Sequence, residues 1–354
     1  MSGSIAPAGP KGEDLAGEAA ASRSQQLVDF VFRVRELGIV AVLVVFAAVT
    51  TAIEPRFLND QNIKFILSDT TIYALLAVGE TMVVISRNVD LSVGSVLGLS
   101  AYLSAHMFSQ FHDLPIFVVF LAGLAIGLAC GAFNGAIVAL ARVPSLVVTL
   151  ATLYIIRGLD VVIVGGNMVV ASTLPNSFIG ITTASIVGVP VLFLIIAAFV
   201  VGAAYYLRSF RSGRELYAIG SNPDAARLAG IPTGRRVFTA FVVSGGIAGL
   251  AGVLWAATYG TIDSTAGTGY ELQVVAGVVV GGVAIFGGSG TVVGAAIGAL
   301  LLQTITTALN VLGISAFWEQ AIAGALLLLA IALDRGITVR LTAALRKRNL
   351  RYGT

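Results

Sequence analysis

The chain has 354 residues, a mean hydropathy of +0.95, 57% hydrophobic and only 11% charged residues, and a formal charge of +3. Ordinary soluble domains carry about 25% charged residues, so a water-soluble globule is excluded. The single cysteine, Cys130, excludes an intramolecular disulfide and any cysteine-rich metal site.

Residues 1 to about 26 are polar and rich in small residues, without the charged start and apolar core of a signal peptide, and the tail they open is placed at 1–36. They are read as a disordered cytoplasmic tail. Beyond them, the tracts 114–141, 161–207, 237–262 and 272–318 hold no Asp, Glu, Lys or Arg. A membrane span needs about 20 mostly apolar residues. Lipid admits only helices or closed barrels, and these tracts lack the strict alternation of barrel strands. The expected fold is therefore an all-α polytopic membrane protein.

Ten spans are placed, at about 37–53, 72–86, 91–109, 115–141, 145–165, 185–207, 237–258, 272–286, 291–311 and 317–333. The second and eighth are short and rich in glycine or polar residues, so they are expected to be broken or tilted. An even number puts both termini on one side. With that side cytoplasmic, only Arg56 and Lys64 of the 21 lysines and arginines fall outside, and Arg157 falls within a span. This satisfies the positive-inside rule. Residues 37–335 form the membrane domain, and 336–354 a basic cytoplasmic tail.

Glycines recur every fourth residue at 123, 127, 131 and 135, and likewise at 245 and 249, 277 and 281, and 290, 294 and 298. Such rows let helix backbones approach closely. They fit either tight static packing or a mobile interface, and packing is the simpler reading.

No lysine stands in a P-loop context, so the chain has no such route to ATP. His106 and His112 lack partners for a metal or a catalytic triad. The glycine run at 287–294 misses dinucleotide spacing and reads as a tight turn between spans.

Several polar residues fall inside spans. Glu80 either lines or gates a pathway or is a hydrogen-bonded structural glutamate, since an acid near a span centre costs a few kcal/mol. Arg157 and Asp160 share a helix face, where they can pair or line a route. Asn134, Gln303 and Asn310 are weaker candidates, because buried amides often bridge helices.

The segment 208–236 is a polar island between oily runs. Asn222 suits an N-cap, Pro223 the first helical position and Asp224 the positive end of the dipole. Gly230 suits the residue after the helix, and Pro232 stops continuation. The result is a short helix over 223–229, comprising Pro223, Asp224, Ala225, Ala226, Arg227, Leu228 and Ala229. It is too small to be a domain, and it suits a groove on another protein.

Four motifs carry a family resemblance. They are "ISRNVDLSVGSVLGLSA" (85–101), "TLATLYIIRGLDVVIVGG" (149–166), "GRELYAIGSNPDAARLAGI" (213–231) and "GTGYELQVVAGVVVGGVAIFGGSGTVVGA" (267–295). In order and spacing, over about 37–335, the chain resembles permease subunits of bacterial ABC importers of the ribose, rhamnose and autoinducer-2 type. "SRNVDLSVGS" is closer to the rhamnose and autoinducer-2 branch than to ribose permeases, where glycines usually occupy the places of Arg87 and Asn88.

The resemblance implies two inverted four-helix repeats, spans two to five and seven to ten. It implies that Asn222 to Gly230 form the helix that couples to the ATPase, and that the motif residue Asp90 joins the pathway candidates. The implied partners are a second permease subunit (identical or related), a cytoplasmic ABC ATPase that holds ATP and Mg, and an extracytoplasmic sugar-binding protein. The chain itself is expected to bind no cofactor, no metal and no nucleic acid, to perform no catalysis, and to reside in the bacterial inner membrane. The rival readings are a branched-chain amino-acid ABC permease, an ion-coupled secondary transporter with Glu80 as its proton site, and a membrane enzyme, which lacks a visible catalytic set.

Overall fold

The computed structural model describes residues 36–111, 113–315 and 317–332. Outside them lie residues 1–35 of the expected N-terminal tail, His112, Ala316, the last residue of the tenth span and the expected C-terminal tail, whereas Glu36, the last residue of the expected N-terminal tail, opens a helix. The helices are α1 (Glu36–Ile53), α2 (Asp60–Ile85), α3 (Val93–Gln110), α4 (Ile116–Ala139), α5 (Ser145–Val164), α6 (Asn176–Thr183), α7 (Val191–Ser209), α8 (Arg211–Ser221), α9 (Pro223–Leu228), α10 (Thr233–Tyr259), α11 (Tyr270–Val280), α12 (Val292–Val311) and α13 (Phe317–Ala332). The described strands are a two-residue pair, β1 (Ser185–Ile186) and β2 (Val189–Pro190), in an antiparallel hairpin. The chain is an all-α polytopic membrane protein. Each expected span overlaps a helix, and seven helices are long and apolar enough to cross a bilayer.

The second and sixth spans differ from expectation, and the eighth follows it. The second span is neither short nor broken: α2 runs for 26 residues, because Asn59 caps it by accepting from Asn62 N–H and the polar Asp69 is buried with partners. The eighth is interrupted as expected, since α11 stops after 11 residues and yields to turns through Gly282, Gly287, Gly288 and Gly290, all at positive φ. The sixth begins at Val191, because the hairpin takes up 185–190.

Helices α2 and α10 form the centre. Of their most apolar windows, 94% and 72% is buried, against 6% for α1. The glycine rows explain how the backbones close up. A methyl group on Gly127 would overlap the Gly245 carbonyl, and one on Gly249 would overlap the Gly123 carbonyl, so the α4 row meets the α10 row. Gly281 and Gly298 are blocked in the same way by Gly294 and Gly277, so the α11 row meets the α12 row. These contacts leave no clearance, which is the packing reading of the rows.

The helix pairings come in exchangeable sets. α4 packs on α10 as α12 packs on α2; α3 packs on α4 and α10 as α11 packs on α12 and α2. Ile85 at the end of α2 lies beside α8, which leads through α9 into α10, so α2 and α10 run in opposite directions.

Candidate functional site: polar loop and buried polar clusters

The island at 208–236 folds into two helices rather than the single one expected. In α9, Asn222 Oδ1 accepts from Asp224 N–H (3.1 Å) and Ala225 N–H (3.0 Å), satisfying two orphan donors. At its other end, Ile231 N–H reaches Ala226 O and Gly230 N–H reaches Arg227 O, both at 3.0 Å, with Gly230 at φ 77°. This pair of bonds is a Schellman close, which needs a left-handed residue. Within α9 itself, Ala226 is the buried residue, and Leu228 is 91% exposed. Asp224 and Arg227 pair at 3.4 Å on the surface.

The helix missed from the sequence, α8, fastens α9 to the bundle. Its inward face holds Gly213, Glu215, Leu216, Ile219 and Gly220. Glu215 bonds Arg211 at 2.8 Å and also Arg236 at the start of α10. The two guanidiniums, Arg236 foremost, hold its carboxyl below the usual glutamate range. Tyr217 donates to Gly290 O at 3.0 Å. Gly220 sits against the Ile85 carbonyl and Gly288 N, where no side chain would fit. The glycine run at 287–290 is thus a tight turn, and α8 wedges between it and the end of α2. Gly288 N–H also donates to Ile85 O at 2.9 Å.

A first polar cluster joins α2, α4 and the loop before α3. Glu80 is fully buried; its Oε1 accepts from Asp90 N–H at 3.1 Å, and its Oε2 has no partner among the described residues. Asp90 Oδ1 accepts from Ser92 N–H (3.0 Å) and Ser92 Oγ (2.6 Å), and Asn134 Nδ2 donates to Ser92 Oγ at 2.8 Å. Ser145 and Thr149 of α5 fix the same loop through Val89 N–H and Val89 O. Asp263 and Thr265, in the loop between α10 and α11, repeat the Asp90–Ser92 bonding at 2.8 and 2.6 Å.

Arg157 and Asp160 pair only at the 4.0 Å limit. The shorter bond of Arg157 goes to Ala266 O at 2.5 Å, passing the bare backbone of Gly98, so the arginine ties α5 to the loop before α11. Asp160 is fully buried, with neither oxygen hydrogen-bonded among the described residues.

Gln303 belongs elsewhere: its Nε2 donates to Asp69 Oδ2 at 2.9 Å. Asn310 is exposed in the last turn of α12 and joins neither cluster. The sequence reading missed Asp69 because it began the second span at residue 72. Extending that helix back to its Asn59 cap would have exposed Asp69 as an acid within a span.

A model of the family described as "Branched-chain amino acid transport system / permease component" matches residues 62–331. The chain is 35% identical over 318 residues to the autoinducer 2 import system permease protein LsrC of Enterobacter sp. (strain 638), covering 90% of this chain and 91% of the relative. It is 36% identical to the ribose import permease protein RbsC of Haemophilus influenzae, over 82% of this chain and 90% of the relative. The corresponding protein of Escherichia coli K12 is also 36% identical, over 84% and 92%. No solved structure matches the chain. With the family's profile spanning most of the helical bundle and relatives matched nearly end to end, the chain belongs to this family of transport-system permease components.

Proposed function

We propose that the chain is the membrane subunit of an ATP-driven, binding-protein-dependent importer for a monosaccharide or related small polyol. The observation that carries ATP coupling is α9: a helix closed at both ends that presents an almost fully exposed leucine, Leu228, beyond the bundle. An apolar side chain held out by two caps and a wedge is suited to a groove on a partner. The named substrates of the relatives, ribose and autoinducer 2, support a polyol over an aliphatic amino acid.

In this reading two permease subunits, identical or related, enclose the path in the bacterial inner membrane. A cytoplasmic ATPase that holds ATP and Mg engages α9, and an extracytoplasmic binding protein delivers the sugar to the opposite face. Both termini are cytoplasmic, and ten helices span. The exchangeable pairings and the opposed α2 and α10 support two inverted halves, an arrangement common in transporters. Movement of α9 passes through α8 to the end of α2 and to the 287–290 turn, one element of each half.

The test is uptake by vesicles holding this chain with its ATPase and binding protein. Asp224→Lys and Leu228→Glu are expected to cut uptake and stimulated ATP hydrolysis at least tenfold while both variants insert normally. Uptake that needs no ATPase and ignores both changes overturns the reading and directs attention to ion coupling at Glu80, whose Oε2 is buried without a partner among the described residues.

A further inference from the structure

Asp69 is a carboxylate, 6% exposed, within an apolar bundle, and none of the ion pairs among the described residues includes it. Its partners are neutral: Tyr259 Oη donates to Oδ1 at 3.1 Å and Gln303 Nε2 to Oδ2 at 2.9 Å. An acid within a span is costly and is retained where it has a task.

Aromatic rings surround it. Tyr73 and Tyr270 stack with centroids 4.4 Å apart and planes 9° from parallel. Trp255 lies 4.5 Å from Tyr259, and its Nε1 donates to Tyr270 Oη at 3.1 Å. The Tyr259 and Tyr270 hydroxyls are 3.4 Å apart. Tyr259 is 39% exposed, whereas Tyr73 is 9% exposed, so the cluster opens on one side. The residues come from α2, α10, α11 and α12, at the end of the bundle opposite α9.

Packing alone would be served by leucine or phenylalanine, which leave no polar atom to satisfy. Here a carboxylate, an amide, two phenols and an indole form one chain of donors and acceptors, beside the stacked ring of Tyr73. That composition suits a polyhydroxylated ligand: ring faces cover its C–H surfaces, while the carboxylate and amide take neighbouring hydroxyls.

We propose that Asp69, Gln303, Tyr259 and Tyr270, with Tyr73 and Trp255, form an outer subsite for the polyol. The Tyr259–Asp69 bond is its latch, replaced by substrate hydroxyls when the sugar enters. This inference rests on the import reading above and locates where that substrate first meets the permease.

The test uses the full-length permease in lipid nanodiscs with Trp318→Phe, which leaves Trp255 as its sole indole. D-ribose and L-rhamnose are titrated against its emission, with glycine betaine as an osmolyte control. At least one sugar is expected to give a saturable change and betaine none. Asp69→Asn and Tyr259→Phe are each expected to weaken the apparent affinity at least tenfold. In vesicles with ATPase and binding protein, both are expected to lower uptake at least fivefold, with size-exclusion profiles unchanged.

A permease that imports either sugar yet shows no Trp255 response, or a response equal in both variants and the parent, overturns the subsite alone. A parent that imports no polyol with its ATPase present overturns the import reading, and the subsite with it.

Discussion

Glu215 is the residue on which the attachment of the 208–236 loop turns. It accepts from Arg211 on its own helix and from Arg236 on α10, so one carboxylate joins α8 to the central helix. Its folded-state pKa is depressed by those two cations. A depressed acid contributes stability that is fully present above its unfolded value and is lost as pH falls through the folded value. Hydrogen exchange of the α8 amides, corrected for intrinsic rates, is therefore expected to stay constant from pH 7 to about 5, above the ordinary glutamate range. Protection then declines at lower pH, and Glu215→Gln removes this acid limb while raising exchange at neutral pH. Exchange in α8 that is equal in both proteins at pH 7 would mean that the ion pairs do not hold the loop.

At the scale of elements, glycine separates helices that must touch from helices that need not. Gly127 on α4 meets the Gly245 carbonyl, whereas Gly202 on α7 has nothing within 4 Å of an added methyl. Replacing each by alanine thus isolates contact from propensity. Gly127→Ala is expected to destabilise by about 1–3 kcal/mol, the usual cost of overpacking. Gly202→Ala is expected to be neutral or to stabilise by up to about 1 kcal/mol, because alanine is the better helix former. Thermal melts of the purified permease check both signs. Equal shifts would show that the α4–α10 approach is not the tight seam described here.

At the scale of the whole molecule, the coupling proposed for α9 requires the 208–236 loop and the bundle to move as one body. α8 supplies that connection, and Tyr217 is its one hydrogen bond to the 287–290 turn among the described contacts. A neutral hydrogen bond contributes about 1 kcal/mol net, so Tyr217→Phe is expected to lower sugar carried per ATP hydrolysed by about fivefold. ATPase docking, which is proposed above to use α9, is expected to stay intact. Simultaneous measurement of uptake and phosphate release distinguishes this uncoupling from a loss of docking, in which both fall together.

What the sequence by itself determined is local. Hydropathy over contiguous residues located the apolar helices, seven of them long and apolar enough to cross a bilayer, because a helix in lipid must satisfy its own backbone polar groups. Asn222, Pro223 and Gly230 marked both ends of α9 to within a residue, because caps act on neighbours in the chain. The glycine rows were legible as rows. Only the tertiary structure decided which row meets which, and that Glu80, Asp90 and Asn134 share one network while Gln303 belongs with Asp69. It also decided that Arg157 serves Ala266 more closely than Asp160. The partners of Asp69 lie 190 and 234 positions away, and no periodicity within one helix encodes such a meeting. Four helices have to pack before a tyrosine, a glutamine and an aspartate from three of them become a single polar cluster.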